Sequence, residues 1–257
     1  MKEEKISING LRVNYKVAGE GPALLVLHGW GGSSDSWVSL QKILSREGFR
    51  VIVPDFPGFG KSVTPPDVWG VGDYMDFILK FLEILKLDDF FLLGHSFGGR
   101  VAIKFATRYP EKLKSLILCD SAGIRGKPSA KARIIFLMAV IGNAVFSPKI
   151  MARFKDSARN VFYAFIRKRD YAKANGVMKK TIKKVLGEDL LDDLSKIKTS
   201  TLIIWGENDK MVPVKYARVF REKIENAKLE IMPKVGHSPH IERPEKLAEI
   251  ILKFLKQ

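Results

Sequence analysis

The sequence predicts an α/β fold: a mostly parallel central sheet with helices on both faces, interrupted by an all-helical insertion. Three observations carry this. Short apolar runs alternate with amphipathic helical stretches, the pattern of parallel strands joined by crossover helices. The runs Ala23–Leu27, Phe90–Leu93 and Leu116–Cys119 are continuously apolar, as strands buried on both faces are. Residues about 124 to 197 then break the rhythm and contain no strand-like run. The domain reading is therefore a core in two parts, 1–123 and 198–257, with a helical cap at 124–197 between them.

The elements follow in order. Residues 5–9 and 11–18 alternate around Asn9-Gly10, a hairpin signal. Ala23–Leu27 is a strand and ends in His28-Gly29-Trp30-Gly31-Gly32. Ser33–Ser45 reads as a helix, with Trp37, Leu40 and Leu44 on one side. Phe49–Val53 is the next strand, and Phe56–Pro66 a Gly/Pro-rich loop. Tyr74–Leu85 is an amphipathic helix, with Phe77, Ile78, Phe81, Leu82 and Leu85 at helical spacing. The strand at Phe90 and a helix over 100–106 follow, then the strand at Leu113. Inside the insertion, helices are expected at Ala130–Val145, Ala158–Ala174 and Gly176–Leu186. Beyond it, Thr201–Trp205 and Lys228–Met232 are strands, and Val214–Ile224 and Pro244–Leu255 helices, the last with Pro in its first turn.

The chemistry centres on Gly94-His95-Ser96-Phe97-Gly98-Gly99, between a strand and a helix. A strand that stops at Gly, presents a Ser and turns at once into a helix is a nucleophile elbow. Gly94 and Gly98 flank Ser96 because a Cβ would clash where backbone packs on backbone. A Ser hydroxyl needs a base to take its proton. Of the four histidines, His237 follows the last strand in Val235-Gly236-His237-Ser238-Pro239-His240, and Gly236 permits a tight turn that favours it over His240. His95 adjoins Ser96 but should point elsewhere, and His28 belongs to a loop more useful for its backbone; both stand as possible pocket residues. The base needs an acid to fix its tautomer. Asp209 and Asp120 both lie just past strand ends and either could reach His237; Asp209 is favoured, with Asp120 as the alternative acid or a pocket residue. Glu207 reads as a loop carboxylate. The N–H groups of Phe97 and Trp30 are the expected oxyanion donors. In parallel sheets, ligands bind at the carboxyl ends of strands. His28, Ser96, Asp120, Asp209 and His237 should converge there.

The order Ser, Asp, His, together with the elbow and the His-Gly loop, resembles the α/β-hydrolase superfamily over nearly the whole chain. The resemblance includes Pro54-Asp55-Phe56-Pro57-Gly58-Phe59-Gly60-Lys61-Ser62, Gly206-Glu207-Asn208-Asp209-x-x-Val212-Pro213 and Gly236-His237-x-x-x-x-Glu242-x-Pro244. It implies an α/β-hydrolase fold, with Ser96 as nucleophile, Asp209 as acid, His237 as base, Trp30 and Phe97 as oxyanion donors, and no metal or organic cofactor. A Ser at the elbow separates the chain from the haloalkane dehalogenase and epoxide hydrolase branches, which use Asp there. The His28–Gly32 loop also lacks the Gly-Pro-Gly usual in carbon–carbon bond hydrolases and proline iminopeptidases. The expected activity is a serine carboxylesterase on small apolar esters. Alternatives are cleavage of a carbon–carbon bond in an anionic dienoate, or a non-catalytic ligand-binding protein.

Composition narrows the setting. With 257 residues, 46% hydrophobic and 28% charged, the chain can bury an ample core without disulfides. Its one cysteine, Cys119, lies in an apolar strand and reads as core, and a reducing compartment, the cytoplasm, is expected. The charged Met1–Lys5 start, with no apolar signal region after it, predicts no secretion. The longest apolar stretch, Ile134–Phe146, is too short to span a bilayer and reads as the roof of an acyl pocket. Net charge is +16, and from 125 to 196 there are 17 Lys/Arg against 6 Asp/Glu. Lys179, Lys180, Lys183 and Lys184 share a helix face, and Arg167-Lys168-Arg169 forms a second cluster. This charge reads chiefly as a solvated lid surface. Attraction of anionic substrates or contact with an anionic membrane surface is the sharper alternative. No nucleic-acid partner is expected, since no binding motif accompanies the charge.

Overall fold

The computed structural model describes residues 1–125 and 176–257. Eight strands form one sheet: β1 (Lys2–Ile8), β2 (Leu11–Ala18), β3 (Ala23–Leu27), β4 (Arg50–Pro54), β5 (Phe90–His95), β6 (Leu113–Cys119), β7 (Thr201–Gly206) and β8 (Ala227–Met232). Their order is β1-β2-β4-β3-β5-β6-β7-β8. β2 pairs antiparallel with both β1 and β4, and every pair from β4 to β8 is parallel. The helices are α1 (Val38–Arg46), α2 (Val71–Leu85), α3 (Phe97–Arg108), α4 (Gly176–Gly187), α5 (Leu191–Leu194), α6 (Lys215–Lys223), α7 (Pro239–Glu242) and α8 (Pro244–Leu255).

Alternation along the strands divides the core in two. Leu25, Leu27, Leu92, Leu116, Leu118, Ile203 and Trp205 face α2, α3 and α6. Their neighbours Leu24, Val26, Leu93, Ile117, Cys119, Leu202 and Ile204 face α1 and α8. Cys119 is thus the buried core residue expected, and burial pushes its thiol pKa well up.

The strand order also creates the site. The chain leaves β3 for α1 on one face and leaves the adjacent β5 for α3 on the other. Such a switch point opens a crevice at the carboxyl ends of the two strands. The loop after β3 and the elbow after β5 therefore face each other.

Local chemistry accounts for the departures from sequence expectation. The first helix divides into a 3-10 turn at Ser34–Trp37 and then α1. α2 starts at Val71, three residues early, because Asp73 reaches back to accept the Gly70 N–H at 2.6 Å. α4 lies where a helix was expected, with Met178, Thr181, Ile182 and Val185 buried. It is tied to the core: the Trp69 N–H donates to Thr181 Oγ1, and Lys184 pairs with Asp73. Just beyond α4, Glu188 accepts the Val71 N–H at 2.8 Å and pairs with Lys104, while buried Arg100 donates to the Glu188 carbonyl. Burial lowers the Arg100 pKa to about 10, so it stays charged at neutral pH. The helices expected at 130–145 and 158–174, the run 134–146 and the cluster 167–169 lie outside the described residues.

Candidate active site

Ser96 sits between β5 and α3 with φ +51, a conformation a non-glycine residue adopts only where its surroundings impose it. Here backbone contact imposes it. An added Cβ at Gly98 would lie 2.2 Å from the Leu27 carbonyl oxygen, and one at Gly94 would lie 2.6 Å from that of Gly98. The Ser96 N–H donates to the Cys119 carbonyl, and its own carbonyl accepts the N–H groups of Gly99 and Ala122. The hydroxyl is left at the N-terminus of α3, where unpaired N–H groups favour negative charge.

Two loops bring side chains to it. After β7, the Gly206–Asp209 turn presents Asp209, whose Oδ1 accepts the N–H groups of Met211 and Val212 at 2.7 and 2.9 Å. Trp205 Nε1–H fastens the same loop to the Val212 carbonyl. After β8, the His237 ring donates from Nδ1 to Asp209 Oδ2 at 2.7 Å, and its Nε2 accepts from Ser96 Oγ at 3.0 Å. Carboxylate, imidazole and hydroxyl thus form one hydrogen-bonded chain, an arrangement that can draw a proton off the hydroxyl and stabilise the imidazolium that results.

The remaining histidines differ in role. Sequence reasoning kept His28 and His95 as possible pocket residues, and the structure places both in the interior beside the elbow. His28 is wholly buried: Nδ1–H donates to the Gly29 carbonyl at 2.8 Å, and Nε2 accepts the Phe56 N–H at 3.0 Å. His95 is buried behind the His237 loop and donates from Nε2 to the His237 carbonyl at 2.8 Å. Burial lowers both pKa values, aided at His95 by His240 and His237. His240 stacks on Trp37 with ring centroids 4.1 Å apart, and burial lowers its pKa to about 3. The hydrogen bond to Ser96 Oγ is made by His237, while the His240 ring lies against Trp37. Asp120, the other carboxylate considered, is fully buried. Its Oδ1 accepts the Gly206 N–H at 2.9 Å, beside Asp209 and His237. Glu207 accepts the Lys234 N–H at the surface, a loop carboxylate as expected.

Of the expected oxyanion donors, Phe97 is the first residue of α3, so helix geometry leaves its N–H without an intrahelical acceptor. Trp30 lies in a turn closed by Gly32 N–H to the Gly29 carbonyl at 3.0 Å. Gly29 packs directly on the elbow: an added Cβ would lie 3.2 Å from Ser96 Cβ. The Trp30 ring meets Phe59 and Phe97 edge-on at 4.8 and 5.3 Å, which places an apolar wall beside the elbow.

Two supports were not legible beforehand. Glu242 accepts the Gly236 and Ser238 N–H groups at 2.8 and 3.1 Å, gripping the His237 loop on both sides. Asp55 accepts from Ser34, Lys61 and Asn14, and Ser62 Oγ–H donates to its carbonyl, knotting the Gly-rich loop beneath Phe59. The motif spacings Gly236-x5-Glu242 and Asp55-x6-Ser62 were the available signals.

This fold and this arrangement define a class. A family model described as alpha/beta hydrolase fold matches residues 22–244, and the chain belongs to that family. The chain is 29% identical over 261 residues to the human monoacylglycerol lipase ABHD6, covering 92% of this chain and 76% of that enzyme. It is 25% identical to a 2-hydroxy-6-oxo-6-phenylhexa-2,4-dienoate hydrolase of Burkholderia cepacia, over 96% of this chain and 92% of the other. Among solved structures, a thermophilic esterase from Thermogutta terrifontis matches with a TM-score of 0.73 and 26% identity, over 100% of this chain and 98% of that one. Among the described residues, no helix is long and apolar enough to cross a membrane.

Proposed function

We propose that the protein is a serine carboxylesterase that cleaves small apolar esters through an acyl-enzyme. The observation that carries the reading is the chain Asp209–His237–Ser96, with links of 2.7 and 3.0 Å. Ser96 Oγ attacks the ester carbonyl while His237 Nε2 takes its proton. His237 returns that proton to the leaving alkoxide. Water, deprotonated by the same nitrogen, then attacks the acyl carbon; the bond to Ser96 Oγ breaks, His237 returns the proton to that oxygen, and the acid leaves. Asp209 holds the imidazole in the reactive tautomer and balances its charge. The main-chain N–H groups of Trp30 and Phe97 stabilise the oxyanion of each tetrahedral intermediate. The division into a core of 1–123 and 198–257 with a cap insertion at 124–197 is part of this proposal. The aromatic wall of Trp30, Phe59 and Phe97 supports an apolar substrate. The likeness to a lipase and an esterase supports ester cleavage. The single buried cysteine supports a cytoplasmic setting.

A second reading rests on the likeness to the dienoate hydrolase and on the basic stretch 125–196. In it, the same site cleaves a carbon–carbon bond in an anionic dienoate drawn in by that charge. A panel of p-nitrophenyl esters and a dienoate, assayed at rising ionic strength, tests the choice. Esterase action predicts ester turnover little affected by salt. Dienoate turnover that falls steeply with salt, with no ester turnover, would overturn it.

A further inference from the structure

Beside the proton-transfer chain lies a buried carboxyl that the chain does not use. Asp120 follows β6 directly, with φ +43 and no exposure to solvent. Its Oδ1 accepts the Gly206 N–H at 2.9 Å, and the Cys119 thiol approaches Oδ2 at 3.5 Å. Polar atoms of Asp120, Asp209 and His237 all lie within 4.8 Å of one another.

Two carboxyls this close and this dry do not both ionise; one keeps its proton. The hydrogen-bond donors decide which. Asp209 receives three: His237 Nδ1–H and the Met211 and Val212 N–H groups. Asp120 receives one N–H and a weak thiol contact. Donors favour the charged form, so the charge rests on Asp209. Burial, with the charge and the hydrogen bond of Asp209 adding to it, holds the Asp120 carboxyl well above the usual range. The groups facing Asp120 are Asp209 from the loop after β7, His237 from the loop after β8 and Cys119 on its own strand. The thiol, raised by burial, brings no charge.

The Gly206–Asp209 turn is closed by Asp209 N–H to the Gly206 carbonyl at 3.2 Å. Asp120 holds the first end of that turn through the Gly206 N–H and lies near Asp209 at the other. We propose that Asp120 is a positioning residue: it accepts the Gly206 N–H with one oxygen and donates its own O–H to Asp209, so that Asp209 stays aimed at His237. The proton never enters the reaction. His237 therefore faces one negative charge, not two. This rests on the assignment of Asp209, His237 and Ser96 as the catalytic chain.

The test compares Asp120→Asn, Asp120→Leu and Ser96→Ala in the full chain, with p-nitrophenyl acetate as substrate. Asparagine is neutral and keeps both an acceptor for Gly206 and a donor for Asp209. It should hold kcat within about 3-fold and leave the acid limb of the kcat/KM profile in place. Leucine should lower kcat by at least ~10-fold at unchanged KM. The infrared difference spectrum of wild type against Asp120→Asn should carry the band of a protonated carboxylic acid, a readout that needs no active variant. An acid limb displaced downward in Asp120→Asn overturns the proposal, because it reports a lost negative charge beside the base. Wild-type kcat in Asp120→Leu, or no such band, overturns it too. Turnover surviving in Ser96→Ala overturns the catalytic chain itself and this proposal with it, a failure distinct from the others.

Discussion

Ser96 stands between two regions held in place by different forces. On one side, the loop after β3 meets the elbow as backbone on backbone, with Gly29, Gly94 and Gly98 leaving no room for a Cβ. On the other, His237 rides a loop held by discrete polar contacts from Asp209, Glu242 and His95. The first side is fixed by steric exclusion, so small changes there should cost both fold and activity. The second is fixed by hydrogen bonds that can be removed singly, so changes there should cost activity with little loss of stability. Ser96 is thus placed by packing and His237 by polar tethers.

The largest expected effect belongs to the atom between the two sides. Ser96→Ala should lower p-nitrophenyl ester turnover by about 10^5-fold or more, with the melting temperature little changed. Next comes Gly98→Ala, whose Cβ would meet the Leu27 carbonyl at 2.2 Å. The strand end or the elbow must shift, so kcat should fall by about 100-fold and stability by about 1–3 kcal/mol in urea unfolding. On the polar side, Glu242→Gln can accept only one of the two N–H groups that Glu242 accepts. It should lower kcat by about 10-fold at near-constant KM, with a stability loss of about 1 kcal/mol or less. Equal losses of stability in Gly98→Ala and Glu242→Gln would break the contrast.

The last effect, which concerns no catalytic rate, is on the pH dependence of stability. His240 titrates at about 3 in the folded protein against 6.5 in its absence, and His28 and His95 are lowered too. Below 6.5 the unfolded chain binds protons that these buried rings refuse. Each such ring therefore removes about 1.4 kcal/mol of stability per pH unit as acid is added, until its folded pKa is reached. Asp120 acts with the opposite sign, because its raised pKa makes the folded state hold a proton that the unfolded state has released above 3.8. Melting temperature should fall as pH drops from neutrality towards about 5. His240→Phe, which can keep the stack on Trp37, should flatten that slope, and Asp120→Asn should steepen it.

What the sequence revealed followed the range of the interactions involved. Strand and helix positions came through periodicity, and Pro244–Leu255 coincides with α8 end to end. Ser96 was legible because an elbow is a local device written in adjacent glycines. The meeting of Asp209 and His237 could be argued from strand ends, since topology brings those ends together whatever the side chains do. The grip of Glu242, the stack of His240 on Trp37 and the nearness of Asp120 to Asp209 were not legible. Each depends on side-chain direction across elements distant in sequence, and no periodicity encodes that. The start of α2 was missed for a smaller reason: the Asp73 cap adds a turn that carries few apolar residues.

The central claim is that His237 activates Ser96. Reaction with a fluorophosphonate, read by intact mass and peptide mapping, tests it most directly. The account predicts a single adduct on Ser96, formed rapidly in the wild type and at least ~100-fold more slowly in His237→Gln. An adduct on another residue, or labelling of Ser96 at an undiminished rate in His237→Gln, would contradict it.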